Sequence, residues 1–300
     1  MPRTITRRNA LRSLAGAATL AALSRSAISA EKPVAAGPSM PTTTPIRHSV
    51  CKWCFKDIPL EEFSKAAKEM GLESVELLGP NDWPTVRKYD LTCALANGTT
   101  SIAVGFNRLE NHVTQVPSMI ERINAVADAG LPSVIVFSGN RADKAGQTIT
   151  DEQGIENCVV GLKQIMGVAE KRGVNVIMEL LNSKVNHKDY MCDRTPWGVE
   201  LVKRVGSERF KLLYDIYHMQ IMEGDVIRTI QENHRYIGHY HTAGNPGRNE
   251  FEPGDQQELY YPPIMRAIAA TGFKGFVAQE FIPKRDALTS LSAAVKLCTV

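Results

Sequence analysis

The feature that most limits the fold of this chain is a regular alternation of short apolar runs with longer segments of helical periodicity. The apolar runs lack the polar alternation of a half-exposed strand, which predicts strands buried on both faces, as in parallel sheets. Eight strands are expected, at residues 48–55, 72–78, 91–95, 132–137, 174–180, 210–215, 236–241 and 275–280. A helical segment follows each strand, and eight such units in about 250 residues predict an α/β protein with a single (β/α)8 TIM barrel.

An open, doubly wound parallel sheet is the alternative architecture for alternating strands and helices. Its dinucleotide-binding form needs a glycine-rich phosphate loop after the first strand, whereas the residues that follow position 55 here (KDIPLEEF) contain no glycine. The barrel is therefore favoured. Its active site is expected on the face where the carboxyl ends of the strands meet.

The first 30 residues have the order of an export signal, with a twin-arginine pattern at 6–12, an apolar run at 13–23 and small residues at 27–30. This order predicts a twin-arginine signal peptide and a periplasmic or exported protein. The apolar run is too short to span a bilayer as a stable helix, so no stable membrane insertion is expected after cleavage. Retention of the segment as an uncleaved anchor is the alternative.

The charge of the chain changes when the signal is removed. The signal carries five arginines and no acidic residue, so the net charge of +3 becomes −2, from 30 basic and 32 acidic residues. The apparent basicity therefore belongs to the signal, and no nucleic-acid partner is expected. Residues 31–46 are rich in proline, threonine and alanine and predict a flexible linker, which leaves 47–300 as the barrel domain. Assembly into a homo-oligomer is compatible with the sequence.

The six cysteines include one pair, Cys51 and Cys54, with the spacing of redox and zinc motifs. Both lie in the first predicted strand, where residues three apart point to opposite faces. No second pair with zinc-finger spacing exists in the sequence. Buried free thiols are therefore expected, and a disulfide is the less favoured alternative.

Acidic and imidazole side chains end four successive predicted strands, namely Glu179, Asp215, His241 and Glu280. Carboxylates at the ends of buried strands are costly unless they are paired or bind a metal, and like charges brought together raise each other's pKa values. One divalent cation relieves both costs, and a set of oxygens with one imidazole suits Mn²⁺, Mg²⁺, Co²⁺ or Zn²⁺. The four residues are therefore predicted metal ligands. The alternative is that each acid pairs with a local Arg or Lys.

Three further residues near the predicted strand ends have side chains suited to substrate binding. His218 is expected in a loop, where a neutral imidazole donates to a substrate oxygen. Arg248 lies in a Gly/Pro-rich loop, and a guanidinium suits a carboxylate or a pair of hydroxyls. The alternative for Arg248 is an ion pair with Glu250 or Glu252. His187 is predicted to cover the barrel mouth, and the alternative is a solvated loop.

Two inward-facing residues are given supporting roles. His239 is two positions before His241 and points to the same face, so it is predicted to orient a metal ligand. Glu76 ends the second strand and is predicted to be a barrel carboxylate with satisfied hydrogen bonds. Contact between Glu76 and substrate is the alternative.

From about residue 47 onward the chain resembles the hydroxypyruvate isomerase group of the xylose isomerase-like TIM barrels, which also include sugar 3-epimerases. The segment HYHTAGNPGRNE at 239–250 is similar to the group's HxQxAGxPGRxE, and residues 215–218 (DIYH) match a DxxH motif. The segments ELLN at 179–182 and QEF at 279–281 match the strands that carry the family's catalytic glutamates.

The resemblance implies a metal-dependent isomerase or epimerase of a small hydroxy-carbonyl compound or sugar. It assigns proton transfer through an enediolate to Glu179 and Glu280, both also metal ligands, and leaves open which of them acts first. One residue departs from the pattern, because bacterial hydroxypyruvate isomerases tend to have Gln where this chain has His241, as the sugar 3-epimerases do. The exact substrate therefore stays open.

Three other functions compete with this hypothesis. The first is a phosphodiesterase acting on abasic DNA, which needs further metal ligands, whereas the fourth strand here ends in Ser-Gly-Asn without a histidine. The second is a non-catalytic binding barrel, which has no need of a matched pair of bases. The third is a metal-dependent lyase or epimerase acting on a keto-sugar or 3-keto-glycoside. This is the strongest competitor because it shares the proton abstraction.

Overall fold

The computed structural model describes residues 45–300. The predicted signal peptide and all but the last residues of the predicted linker lie outside the described residues, so the export of the protein stays a prediction. Within 45–300, none of the helices has the length and apolar character that crossing a bilayer requires.

Seven strands form one parallel sheet in the order β2-β1-β7-β6-β5-β4-β3. Their bounds are β1 (Arg47–Cys51), β2 (Ser74–Glu76), β3 (Ser133–Val136), β4 (Asn175–Leu180), β5 (Phe210–Asp215), β6 (Ile237–Thr242) and β7 (Phe276–Gln279). Every neighbouring pair is parallel. Because the helices connect parallel strands, all carboxyl ends lie at one end of the sheet.

The segment 92–96 occupies the eighth position, between the two edge strands of the sheet. Thr92 pairs with Ser74 before the end of β2, and Ala96 pairs with both Leu78 and Val134. These bridges close the sheet into the predicted (β/α)8 barrel. The third predicted strand, 91–95, is nevertheless present as isolated bridges, because Leu77 has a φ of 56° and interrupts the ladder just after β2.

Nine helices occur within residues 45–300: α1 (Leu60–Glu69), α2 (Trp83–Arg87), α3 (Leu109–Asp128), α4 (Asp151–Arg172), α5 (Thr195–Val205), α6 (Ile216–Met222), α7 (Val226–Asn233), α8 (Tyr261–Ala270) and α9 (Ala287–Cys298). Helix α4 shows how the sequence predicts where a helix begins and ends. Thr150 and Gln153 form a reciprocal capping box at its start, and Gly173, with a φ of 71°, ends it. Helix α6 was not predicted.

The barrel interior has an apolar part and a polar part. Leu95, Ile135, Ile177 and Leu213 form a buried cluster separate from the main core between the sheet and the helices. Ser49, Glu76 and His239 are also buried and are joined by hydrogen bonds. Buried polar groups are costly unless they are hydrogen-bonded, and the hydrogen bonds among these three residues offset that cost.

The prediction of buried free thiols agrees with the structure, in which all six cysteines are free and buried. The expected geometry of the Cys51–Cys54 pair was wrong. Strand β1 ends at Cys51, and Lys52–Phe55 forms a short 3-10 helix in place of the last part of the predicted strand. This helix turns Trp53 toward the carboxyl ends of the neighbouring strands.

Gly98→Ala is expected to lower the free energy of unfolding by about 3 kcal/mol, because the added carbon meets backbone that does not move aside. A Cβ at this position would lie 2.0 Å from the Ile135 carbonyl oxygen, next to the segment that closes the barrel. Urea denaturation measures the change. Gly167→Ala in α4 is the control, since nothing lies within 4 Å of its Cβ, and a gain of up to about 1 kcal/mol is expected there. Equal stability of the two variants would contradict the close approach.

Candidate functional site

The carboxyl ends of β4, β5, β6 and β7 bring four buried side chains together. One ligand atom from each of Glu179, Asp215, His241 and Glu280 lies within 4.8 Å of the others. Asp215 and His241 are directly paired in the β5–β6 register, which places their side chains side by side. The four residues predicted as metal ligands therefore form one cluster, although they span 102 positions in the sequence.

Two donors, Trp53 and Arg248, hold the carboxylate of Glu280, and His241 lies beside it. Trp53 donates from its indole Nε1 to Oε1 at 2.9 Å, while Oε2 lies 2.9 Å from His241 Nδ1 and 2.5 Å from an Arg248 nitrogen. Burial favours the neutral form of Glu280, but Arg248 and His241 outweigh it and lower its pKa well below the ordinary glutamate value. Glu280 is therefore held as a carboxylate in a fixed orientation.

Glu179 and Asp215 each keep one buried oxygen without a hydrogen-bond partner in the part of the chain that the structure describes. These atoms are Glu179 Oε1 and Asp215 Oδ2. Burial, with the nearby charge of Glu280 adding to it, raises the pKa of Glu179 and raises that of Asp215 well above its ordinary value. Unpaired buried carboxylate oxygens are costly, and a cation is the partner that relieves this cost.

The four residues fit a divalent cation. The unpartnered oxygens of Glu179 and Asp215 belong to the cluster, and Nδ1 of His241 lies 3.5 Å from Glu179 Oε1. Three carboxylates and one imidazole are a suitable ligand set for Mn²⁺, Mg²⁺, Co²⁺ or Zn²⁺. The alternative was that each acid pairs with a local Arg or Lys. This is not the case for Glu179, because no Arg or Lys nitrogen lies within salt-bridge distance of its carboxylate in residues 45–300.

The spacing of Asp215 and His218 has a structural cause. Asp215 is the N-cap of α6, and its Oδ1 accepts a hydrogen bond at 2.9 Å from the backbone N–H of His218, the third residue of the helix. This bond uses one carboxylate oxygen and leaves Oδ2 directed at the cluster. His218 therefore lies in the first turn of a short helix, which corrects the expectation of a loop.

His218 presents an N–H group to the site. Its Nδ1 accepts from the Asn182 backbone N–H at 3.1 Å, so the proton of the neutral ring is on Nε2. Burial, aided by Arg248, lowers the pKa of His218 well below its ordinary value and keeps the ring neutral. Nε2 is buried 3.8 Å from Asp215 Oδ2 and has no hydrogen-bond partner among the described residues.

Arg248 is held in a strained backbone conformation beside the cluster. Its φ of 59° is in the left-handed region, which a residue other than glycine rarely adopts. Its guanidinium carbon lies 5.0 Å from the Trp53 ring centroid and 5.5 Å from that of Tyr217. The alternative ion pair with Glu250 or Glu252 was wrong, since Arg248 contacts Glu280 and lies 3.8 Å from Asp215.

His187 lies beside His218, with the two ring centroids 5.2 Å apart. It belongs to the loop between β4 and α5, which Tyr190 fastens to the barrel. The Tyr190 hydroxyl donates to the Glu179 carbonyl oxygen at 2.9 Å and accepts from the Ser138 N–H at 3.1 Å. This loop therefore lies next to the cluster, although His187 does not belong to the four-residue cluster, and a covering role for His187 stays a prediction.

The structure gives the contacts of His239 and adds two residues to the site. His239 bonds Glu76 at 2.8 Å, and Glu76 in turn bonds His241 at 2.9 Å; the centroids of the two imidazole rings lie 5.3 Å apart. Trp53 is 41% exposed, and its indole donates to Glu280. Tyr217 faces Arg248 and had no sequence signal beyond its place within the DxxH segment.

Comparisons with known proteins agree with this fold. A family model described as "Xylose isomerase-like TIM barrel" matches residues 52–296. The hydroxypyruvate isomerase of Escherichia coli is 35% identical over 247 residues, which cover 75% of this chain and 88% of that protein. A human protein named putative hydroxypyruvate isomerase is 25% identical over 261 residues, covering 83% and 94% of the two chains.

Among solved structures, a 3-keto-D-glucoside 4-epimerase from E. coli has a TM-score of 0.69 at 19% identity, covering 84% of this chain and 97% of its own. At that identity the likeness shows the fold alone. The sequence relatives support an isomerase enzyme. With a family model that spans most of its length and a relative at 35% identity, the chain belongs to the xylose isomerase-like TIM barrel family.

Proposed function

We propose that this protein is a metal-dependent isomerase or epimerase that moves a proton at a carbon next to a carbonyl group in a small hydroxy-carbonyl compound. The observation that carries the proposal is the pair Glu179 and Glu280, two carboxylates in one buried cluster with a cation-binding ligand set. A pair of bases can move a proton between adjacent carbons, as in isomerisation, or between the two faces of one carbon, as in epimerisation. The similarity to hydroxypyruvate isomerases supports the same class.

The two glutamates have different surroundings, which suits different roles. Glu280 is oriented by Trp53 and Arg248, whereas Glu179 keeps an oxygen that no described residue contacts by a hydrogen bond. In the proposed reaction one glutamate accepts the proton from substrate carbon, and the other returns a proton to the neighbouring carbon or to the opposite face. The order of the two stays open.

A bound cation and three further residues would position the substrate. Glu179, Asp215, His241 and Glu280 would hold one divalent cation, which when bound supplies Lewis-acid polarisation of substrate oxygens. His218 offers its Nε2–H to a substrate oxygen, and Arg248 offers a guanidinium at the mouth. His187 and its loop lie over His218, where they limit the access of water.

Two measurements on the mature protein test the proposal. Elemental analysis should find close to one divalent metal per chain. A panel of hydroxypyruvate, other keto-acids, ketoses and 3-keto-glycosides, incubated with the metal-loaded protein, should give an isomer or epimer of at least one compound, as detected by NMR. A protein that contains metal but converts no member of these classes would argue against the proposed reaction.

Arg248→Lys is expected to lower kcat/KM by about 10- to 100-fold, because an ammonium keeps the charge but not the planar fork or the stacking. The guanidinium lies between Trp53 and Tyr217 and contacts Glu280, so its shape matters at this position. Arg285→Lys is the matched control, since Arg285 pairs with Glu252 and Asp255 in a half-exposed ion-pair group. Equal kinetics for the two variants would contradict a substrate-binding role for Arg248.

A second candidate is a lyase or epimerase that acts on a keto-sugar or a 3-keto-glycoside. Two observations favour it: the imidazole of His241 in the third ligand position, and the exposed Trp53 ring, whose face is of the kind that sugars stack on. The fold of a 3-keto-D-glucoside 4-epimerase is also similar. Product analysis separates the candidates, because elimination releases a leaving group and forms a conjugated product that absorbs in the ultraviolet, whereas epimerisation does neither.

A further inference from the structure

Glu76 is a completely buried carboxylate beneath the metal-binding cluster. It ends β2, is 0% exposed, and has no Arg or Lys nitrogen within ion-pair distance among residues 45–300. Four donors surround it instead. Ser49 Oγ lies 2.5 Å from Oε2, while Nε2 of His239, Nε2 of His241 and Sγ of Cys51 lie 2.8, 2.9 and 3.9 Å from Oε1. Both oxygens therefore face donors, as a carboxylate requires.

These contacts determine which ring nitrogen of His241 is free to bind a cation. Its two ring nitrogens face opposite sides, with Nε2 toward Glu76 and Nδ1 toward Glu280 and Glu179. Glu76 is a carboxylate and can only accept, so the bond at Nε2 favours the tautomer that has its proton there. That tautomer leaves the lone pair of Nδ1 on the side of the cluster, where a cation requires it.

The residues that hydrogen-bond Glu76 lie on strands of the barrel. Ser49 lies on β1, which pairs with β2, and His239 lies on β6, the strand that also carries His241, so residues on two other strands determine the position of the Glu76 carboxylate. Cys51 adds no competing charge, because burial raises the pKa of its thiol well above the ordinary value. Because these contacts fix the Glu76 carboxylate, its hydrogen bond with Nε2 in turn fixes the plane of the His241 ring.

We propose that Glu76 is a positioning residue for the metal centre, which orients the His241 ring and keeps its proton on Nε2, and that Ser49 and His239 hold Glu76 for this purpose. The inference rests on the proposed function, since it concerns the metal that the four ligands bind. It adds to that function a carboxylate that contacts neither metal nor substrate.

The test measures metal affinity, without reference to catalysis. Mn²⁺ binding to the metal-free, mature protein is followed by calorimetry, and Co²⁺ binding by its visible absorption spectrum. Glu76→Gln and Glu76→Asp are each expected to weaken Mn²⁺ binding by about 10- to 100-fold and to change the Co²⁺ spectrum. Glu223→Gln is the matched control, because Glu223 accepts from Thr195 at the start of α5, away from the cluster, and unchanged affinity is expected.

The two Glu76 variants separate orientation from charge. Glu76→Asp keeps the charge but shortens the side chain, so it loses the bond to His241, whereas Glu76→Gln keeps the length and loses the charge. An affinity of Glu76→Asp equal to that of the unaltered protein would overturn the positioning role, even if Glu76→Gln bound less tightly. If neither Glu76 variant folds, Ser49→Ala decides, with an expected loss of roughly fivefold in affinity, and no loss would overturn the proposal.

The same data distinguish the two proposals. An unaltered protein that binds none of Mn²⁺, Co²⁺, Mg²⁺ or Zn²⁺ would refute the metal-dependent function itself. An unaltered protein that binds one ion, with both Glu76 variants binding it equally well and with the same Co²⁺ spectrum, would remove the role of Glu76 and leave the metal-dependent function in place.

Discussion

Glu179→Gln and Glu280→Gln are each expected to lower the rate of product formation by about 10³-fold, the range for loss of a general base. Glutamine keeps the size of the side chain and its hydrogen-bonding oxygen but has no carboxylate to take up a proton. The geometry supports a large effect for both, since the two residues lie in one buried cluster. Because both glutamates would serve one proton-transfer sequence, the double variant should be little slower than either single variant.

Loss of metal is the competing explanation for slow variants, so the rates are measured at saturating Mn²⁺ with the metal content determined in parallel. Glu223→Gln serves as the control for a glutamate-to-glutamine change on the same barrel, outside the cluster. Nearly full activity in either Glu179→Gln or Glu280→Gln, at full metal content, would contradict the assignment of that residue as a base.

Removal of the metal is expected to lower the melting temperature by about 5–10 °C. An ion present at 100 times its Kd stabilises a protein by about 2.7 kcal/mol, and in a domain of this size about 1 kcal/mol shifts the melting temperature by roughly 2–4 °C. The physical reason is the cluster itself, where buried oxygens of Glu179 and Asp215 have no hydrogen-bond partner among the described residues. Scanning calorimetry with and without a chelator measures the shift.

Asp215→Asn provides the matched variant for this prediction. The amide oxygen can still cap α6 through the His218 N–H, so the helix should remain, while the charged ligand is lost. Its melting temperature is expected to respond little to added Mn²⁺, and without metal it should be at least as stable as the unaltered protein, because one buried charge has been removed. Equal stabilisation of both proteins by Mn²⁺ would show that the ion binds elsewhere.

Much of the barrel was predictable because its signals are local. Helix α4 has a capping box and a terminal glycine, and strands such as β4 contain an apolar run (VIM) followed directly by an acid. The segment 92–96 was harder, since its irregular pairing follows from the left-handed backbone of Leu77, which no residue preference predicts. Helix α6 was missed because it begins directly at the end of β5, where sequence patterns indicate a loop.

The candidate site was predictable where strand ends bring residues together and not where tertiary contacts do. The four cluster residues follow from the parallel barrel, which gathers strand carboxyl ends on one face. The partners of Arg248 and the contact of Trp53 with Glu280 depend on how loops fold over that face. The contact of Glu76 with His241 joins residues 165 positions apart inside the barrel, and no local pattern connects them.

The most direct test of proton transfer is the position of deuterium in product formed in heavy water. The metal-loaded protein is incubated with the substrate found in the panel of keto-acids, ketoses and 3-keto-glycosides, and the product is analysed by NMR. Proton abstraction by Glu179 or Glu280 predicts deuterium from solvent at the carbon that gains a proton. Product that forms at full rate without any deuterium at that carbon would indicate a hydride shift or internal return of the proton by a single base, and either would contradict the two-glutamate mechanism.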